Sequence, residues 1–154
     1  MPYKVPISTL VLVYTPELRV LLLERADHPG YWQSVTGSQE ADETLLETAT
    51  RELREETGID AGSYGTLTDW GLSNVYEIYP RWRHRYAPGT EHNTEHVFGL
   101  QVPQPVPVAL APREHLNYVW LPWQEAAKKC FSWTNRLAIE QLPGVVAKQH
   151  GELA

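Results

Sequence analysis

Cysteine, methionine and phenylalanine are nearly missing from this chain of 154 residues, which has one Cys, one Met and two Phe. With Cys130 alone, no internal disulfide can form and no cysteine-based metal spacing exists, which fits a reducing compartment. Positive charge is also scarce. Thirteen Lys and Arg stand against nineteen Asp and Glu, for a net charge of −6. General nucleic-acid binders carry a basic excess, so no nucleic-acid partner is expected. The apolar run from Ile7 to Tyr14 is far shorter than the roughly 20 residues of a spanning helix. It also lacks the basic flank and small-residue cleavage site of a secretory signal. A soluble, cytoplasmic protein without a membrane partner is the expectation, and no feature points to a protein partner. Repeats and low-complexity tracts are absent, and residues 1–154 read as a single domain with its own core.

Apolar patterning predicts strands over Val5–Tyr14 and Val20–Glu24, joined at Thr15-Pro16-Glu17. After the turn His28-Pro29-Gly30 comes a short extended piece, Trp32–Val35, and then a helix from about Thr44 to Thr57 closed by Gly58. Further strands are expected over Leu67–Tyr79, with a bulge at Gly71, and over Glu95–Val102. The four prolines of Val102–Pro112 make an irregular connection. A strand near Asn117–Leu121, a short helix from Pro122 and a last helix from about Trp133 to Gln141 complete the chain. Strands mixed with three helices predict a sheet covered by helices on both faces.

The densest chemistry lies between Gly37 and Ile59, where Gly37, Glu43, Arg51, Glu52, Leu53, Glu55, Glu56, Gly58 and Ile59 are set at fixed spacing. Thr44 and Glu47 form a capping box that starts the helix. At 3.6 residues per turn Leu45, Ala49 and Leu53 share a face, with Leu46 at its margin and Glu56 projecting onto that same face. A solvated helix would carry its acids on the opposite side. Carboxylates three and four residues apart repel one another, and more so where desolvated, which invites a cation. All-oxygen donors suit Mg²⁺ or Mn²⁺ rather than zinc. Two adjacent glutamates alone would be an ordinary charged helix; the nine positions with a glycine on each side are not.

This spacing resembles the motif of the Nudix hydrolases, with every defined position present. The resemblance implies an α/β (α+β) fold, an α/β/α sandwich with a mixed central sheet, and phosphoanhydride hydrolysis of a nucleoside diphosphate linked to some other moiety. It implies that Glu52, Glu55 and Glu56 ligate metal, that Glu55 and Glu56 serve catalysis, and that Arg51 orients a glutamate. Some members take a further ligand or a general base from a later loop, and Glu114 is the candidate for either role. A non-hydrolysing sensor built on the same fold would be expected to show a damaged motif.

Blocks outside the motif narrow the expectation. Tyr31–Ser38, Arg83–Gly89, Asn93–Glu95, Glu114–Leu116 and Ser132–Arg136 resemble the branch of the family that hydrolyses dihydroneopterin triphosphate early in folate biosynthesis. Members of that branch are also described as dATP pyrophosphohydrolases. By those blocks, substrate contacts fall on Lys4, Arg25, Thr36, Tyr76, Glu77, Ile78, Tyr79 and Ser132. The expected substrate is thus a small pterin or purine triphosphate. Pro80-Arg81-Trp82 and the His92 region match no block.

Three other features have competing readings. His92-Asn93-Thr94-Glu95-His96 has a zinc-peptidase spacing, but that chemistry needs a helix and the segment patterns as a strand. The basic run Arg81–Tyr86 suits either a solvated loop or the phosphates of a small anion, in preference to RNA. Trp32, just before the Gly37 loop, reads as core or as a border of a base pocket.

Overall fold

The computed structural model describes residues 3–153. A seven-stranded mixed sheet forms the middle layer, built from β1 (Ile7–Tyr14), β2 (Arg19–Arg25), β3 (Trp32–Gln33), β4 (Val35–Ser38), β5 (Thr68–Glu77), β6 (His92–Gln101) and β7 (His115–Pro122). The main order is β3-β2-β1-β6-β5, with β4 also on β1 and β7 on β2. β1 and β6 run parallel, and the other pairs are antiparallel. β1 and β2 meet only at Tyr14↔Val20 and then separate. The chain fills the wedge between them, with β3 bonded to β2 and β4 bonded to β1. This wedge carries Thr36 and Gly37 into the middle of the molecule.

Alternation along β1 sends Val11 and Val13 to one face and Leu10, Leu12 and Tyr14 to the other, and all five are buried. Helix α1 (Leu45–Thr57) and the proline-rich strap cover the first face, the strap contributing Val102 and Val106 to the core. Trp120 Nε1 donates to Val106 O, and Ala109 N to Thr57 O, tying the strap to β7 and to the end of α1. Helices α2 (Trp123–Lys129) and α3 (Trp133–Leu153) cover the second face through Ala126, Ala138, Ile139 and Leu142. The α/β/α sandwich expected from the sequence is the observed architecture.

Several boundaries differ from the patterning. β1 starts at Ile7 because Pro6 has no N–H to give the ladder; its carbonyl instead accepts Thr94 N at 3.0 Å. β6 begins at His92 rather than Glu95, paired as far as Glu77 of β5, and β7 begins at His115. β5 spans Thr68–Glu77, and its register shifts between Asp69 and Ser73, where Gly71 has φ of 69°, as the bulge reading required. The largest difference is α3, which continues through Pro143 to Leu153 instead of ending near Gln141. Val146, one turn beyond Leu142, extends the buried stripe, and this packing outweighs the hydrogen bond that proline forfeits.

Candidate active site

Helix α1 begins and ends as its residues dictate. Glu47 N donates to Thr44 Oγ1 at 3.1 Å and Thr44 N to Glu47 Oε1 at 2.9 Å, closing the capping box. Gly58, at φ 74°, donates back to Arg54 O at 2.9 Å. Between these caps Ala49 and Leu53 are fully buried while Leu46 is exposed. Glu56 follows them into the interior at 2% exposure, a setting no solvated helix gives a carboxylate.

The Gly37 loop is fitted to this helix. A Cβ on Gly37 would sit inside the Glu52 carboxylate, so only glycine lets the acid rest on the β4 backbone. Arg51 gathers the surrounding charge. Its Nε and Nη2 form a fork on Glu43 at 2.6 and 3.0 Å, and its Nη1 reaches Glu52 at 2.8 Å and Glu55 at 3.3 Å. Nη2 also donates to Ser38 O at 3.1 Å. The guanidinium therefore holds two helix acids and the loop together. Its main anchor is Glu43, a motif position to which the sequence assigned no role. Hydrogen bonds from Arg51 hold the Glu43 carboxyl down at a pKa of about 2.

Glu56 stands at the opposite extreme. Burial, then the hydrogen bond and charge of Glu52, then the charge of Glu114 push its pKa well above the carboxylate range. Its Oε1 has no hydrogen-bond partner. His115 Nε2 lies 3.6 Å away, but burial and Arg25 lower that imidazole's pKa to about 4, leaving it neutral near pH 7. Glu114 is also raised, by desolvation and by the charges of Glu52 and Glu55, so it belongs to the same anionic field. Among the described residues no three acid, His or Cys side chains already close around one point. The chemistry nonetheless fits a hard cation: an unpartnered buried oxygen, adjacent acids whose repulsion a cation would relieve, and oxygen donors throughout.

These acids line a cleft of about 1040 Å³. Basic groups stand nearby. Burial first, then Arg85, lowers the pKa of Lys4. Arg25 forks onto Asp27 at 2.7 and 2.6 Å, reaches Gln33 at 3.1 Å and lies 4.2 Å from the Trp82 ring centre. Asp27 also accepts from Arg85 at 3.0 Å and from Trp82 Nε1 at 3.1 Å. The two arginines are thus held in fixed positions by one carboxylate and one ring. Aromatic rings stand beside these arginines: Tyr79, Trp82 and Phe131 line the cleft, Tyr79 stacking on Trp82 and Phe131 meeting both edge-on, while Tyr31 stacks on Phe131.

Most residues singled out from sequence meet in this cleft. Arg51, Glu52, Glu55, Glu56 and Glu114 line it, as do Lys4, Arg25, Thr36, Tyr76, Ile78, Tyr79 and Ser132. Glu77 does not. Strand alternation turns it outward, where its carboxylate accepts from Arg83 at 2.6 Å. Trp32 packs against the core beneath α2, with Lys129 Nζ over its ring, and does not line this cleft. The zinc spacing lies on β6, and no helix brings His92 and His96 together. The unmatched Pro80-Arg81-Trp82 and the start of the matched Arg83–Gly89 block fold together as a 3-10 turn, Pro80–Arg85, which contributes Trp82 and Arg85 to the cleft. Sequence reasoning missed Asp27, Glu95, Phe131 and Asn135. Glu95 and Asn135 lay inside matched blocks, which was their one available signal.

Residues 4–142 match the NUDIX domain, and the chain belongs to that family. Nudix hydrolases generally require a divalent metal and act on small nucleotide-like molecules. Within the family, the chain is 46% identical over 141 residues to a dihydroneopterin triphosphate diphosphatase of Escherichia coli, covering 90% of this chain and 93% of that protein. It is 41% identical over 143 residues to the protein of that name in Haemophilus influenzae, covering 92% and 89%. The structure of the E. coli dihydroneopterin triphosphate pyrophosphohydrolase superposes with a TM-score of 0.86 at 45% identity, over 92% of this chain and 97% of that one.

Proposed function

We propose that this chain is a Mg²⁺-dependent pyrophosphohydrolase that converts dihydroneopterin triphosphate to the monophosphate and pyrophosphate, an early step of folate biosynthesis. The observation that carries the reading is one cleft lined by crowded carboxylates, by the fixed Arg25 and Arg85, and by the rings of Tyr79, Trp82 and Phe131. A triphosphate tail suits the charged groups and a flat heterocycle suits the rings. The similarity to dihydroneopterin triphosphate diphosphatases over most of the chain supports it.

Glu52, Glu55 and Glu56 would hold the cation, for which Mn²⁺ is a substitute. When bound, the metal screens phosphate charge and acidifies water at neutral pH. Arg51 holds Glu52 and Glu55 in place. Lys4 and Arg25 neutralise phosphate oxygens, Thr36 and Ser132 offer hydroxyls, and Tyr76 and Tyr79 flank the heterocycle. Glu114, whose raised pKa suits proton transfer, accepts the proton of the attacking water or completes the ligand set. A purine substrate such as dATP is the second reading, favoured by the Tyr79, Trp82 and Phe131 rings, which suit any flat heterocycle. A sensor without turnover is disfavoured by the intact acids.

The test is incubation of the purified protein with dihydroneopterin triphosphate and with dATP, with and without Mg²⁺. Metal-dependent pyrophosphate from the pterin substrate is the expected result. Release from neither overturns the proposal.

A further inference from the structure

Glu95 is a carboxylate lining the cleft that the chemistry at α1 does not use. It sits on β6, opposite Ser8 of β1 and Asn74 of β5, on the face covered by α3. It is 4% exposed, it lines the cleft, and its Oε1 has no hydrogen-bond partner. No cation faces it from the elements packed around it. β1 presents the Ser8 hydroxyl, α3 presents Thr134, and β5 presents Tyr76, whose phenol is raised by burial and by the charge of Glu95 itself. Asn93 Nδ2 is engaged with Ser8 Oγ at 2.7 Å, and Ser132 and Thr134 bond each other at 2.9 Å. A buried acceptor of this kind is costly unless a ligand supplies its partner.

We propose that Glu95 is a specificity-determining residue that reads the amino-lactam edge of the substrate, the adjacent ring N–H and exocyclic NH₂ shared by pterins and guanine. A carboxylate accepts both of those hydrogens side by side. Adenine offers one donor and one acceptor on its corresponding edge and leaves an ionised carboxylate half-matched. The inference deepens the proposed function and rests on the substrate heterocycle lying against Glu95 in the cleft. Desolvation puts the Glu95 pKa at about 7, partly offset by the Thr134 hydroxyl. Below that pH the protonated acid has a donor as well as an acceptor and suits adenine; above it, the carboxylate suits the amino-lactam.

The experiment compares wild type, Glu95→Gln and Glu95→Ala, using kcat and KM for dihydroneopterin triphosphate, dGTP and dATP, and equilibrium binding of dGMP and dAMP. In Glu95→Gln the preference for pterin and guanine over adenine should fall by about tenfold or more, because the amide matches adenine. The change should lie in KM and in binding, and Glu95→Ala should weaken dGMP without improving dAMP. In wild type the guanine-to-adenine ratio should rise as pH passes about 7 and stay flat in Glu95→Gln. Unchanged ratios and unchanged dGMP binding in both variants overturn the assignment. Wild type that spares the pterin but cleaves dGTP with this Glu95 dependence would overturn the pterin reading alone.

Discussion

Glu56 and Arg51 show how a single residue's setting decides its chemistry. Both are ordinary helix formers in sequence, yet Glu56 is buried without a partner for Oε1 while Arg51 holds three acids. Glu56→Gln should lower kcat by about a hundredfold or more while leaving the fold intact, since the amide keeps the shape and relieves repulsion from Glu52. Near-normal turnover would remove Glu56 from the metal site. Glu95 gives a pH dependence with a defined sign. Its pKa is raised from 4.5 to about 7 in the folded protein. The stability it allows is complete below about pH 4.5, where both states are protonated, and is lost as pH rises through about 7. The loss at full ionisation is on the order of 3 kcal/mol. Thermal melting of Glu95→Gln should therefore match wild type near pH 4.5 and exceed it at pH 8. The anionic character of α1 was legible in the spacing, but the orphaned oxygens of Glu56 and Glu95 were not. Burial of one side chain depends on neighbours distant in the chain.

At the scale of elements, the motif behaves as a loop and a helix made for each other. Gly37→Ala would drive a methyl into the Glu52 carboxylate, so it should cut turnover far more than stability, as read by kcat beside the denaturation midpoint. Gly58→Ala tests the other end. It must hold φ 74° and would bring a Cβ within 3.1 Å of Ala109 Cβ, so a loss of about 1 kcal/mol or more is expected by urea denaturation. Local signals placed these boundaries well, because capping and left-handed glycines act within a few residues. The same local reasoning stopped α3 near Gln141. Pro143 is a true breaker in isolation, but Val146 docks on the far face of the sheet and the helix continues. Glu77 shows the matching limit for strands: its neighbours Tyr76, Ile78 and Tyr79 line the cleft, yet alternation directs it away.

For the whole molecule, the wedge of β3 and β4 between β1 and β2 brings α1, β6, the 3-10 turn at Pro80–Arg85 and the start of α3 around one cleft. Because the acids repel one another when no cation is present, Mg²⁺ should raise the melting temperature. Saturation at about a hundred times Kd corresponds to roughly 2.7 kcal/mol. Chelation should abolish turnover and reverse the shift, and Glu56→Gln should show little of it; a metal-independent melting curve in wild type would contradict the ligand set. The sequence by itself determined the reaction class, the helix that carries it and the layered fold, since caps, periodicity and fixed spacing are properties of neighbouring residues. Tertiary structure alone decided how Asp27 fixes Arg25 and Arg85, how Phe131 closes the aromatic wall, and how Glu95 is left without a partner. Those arrangements join segments tens of residues apart, and only packing determines which side chains finally meet and which are deprived of water.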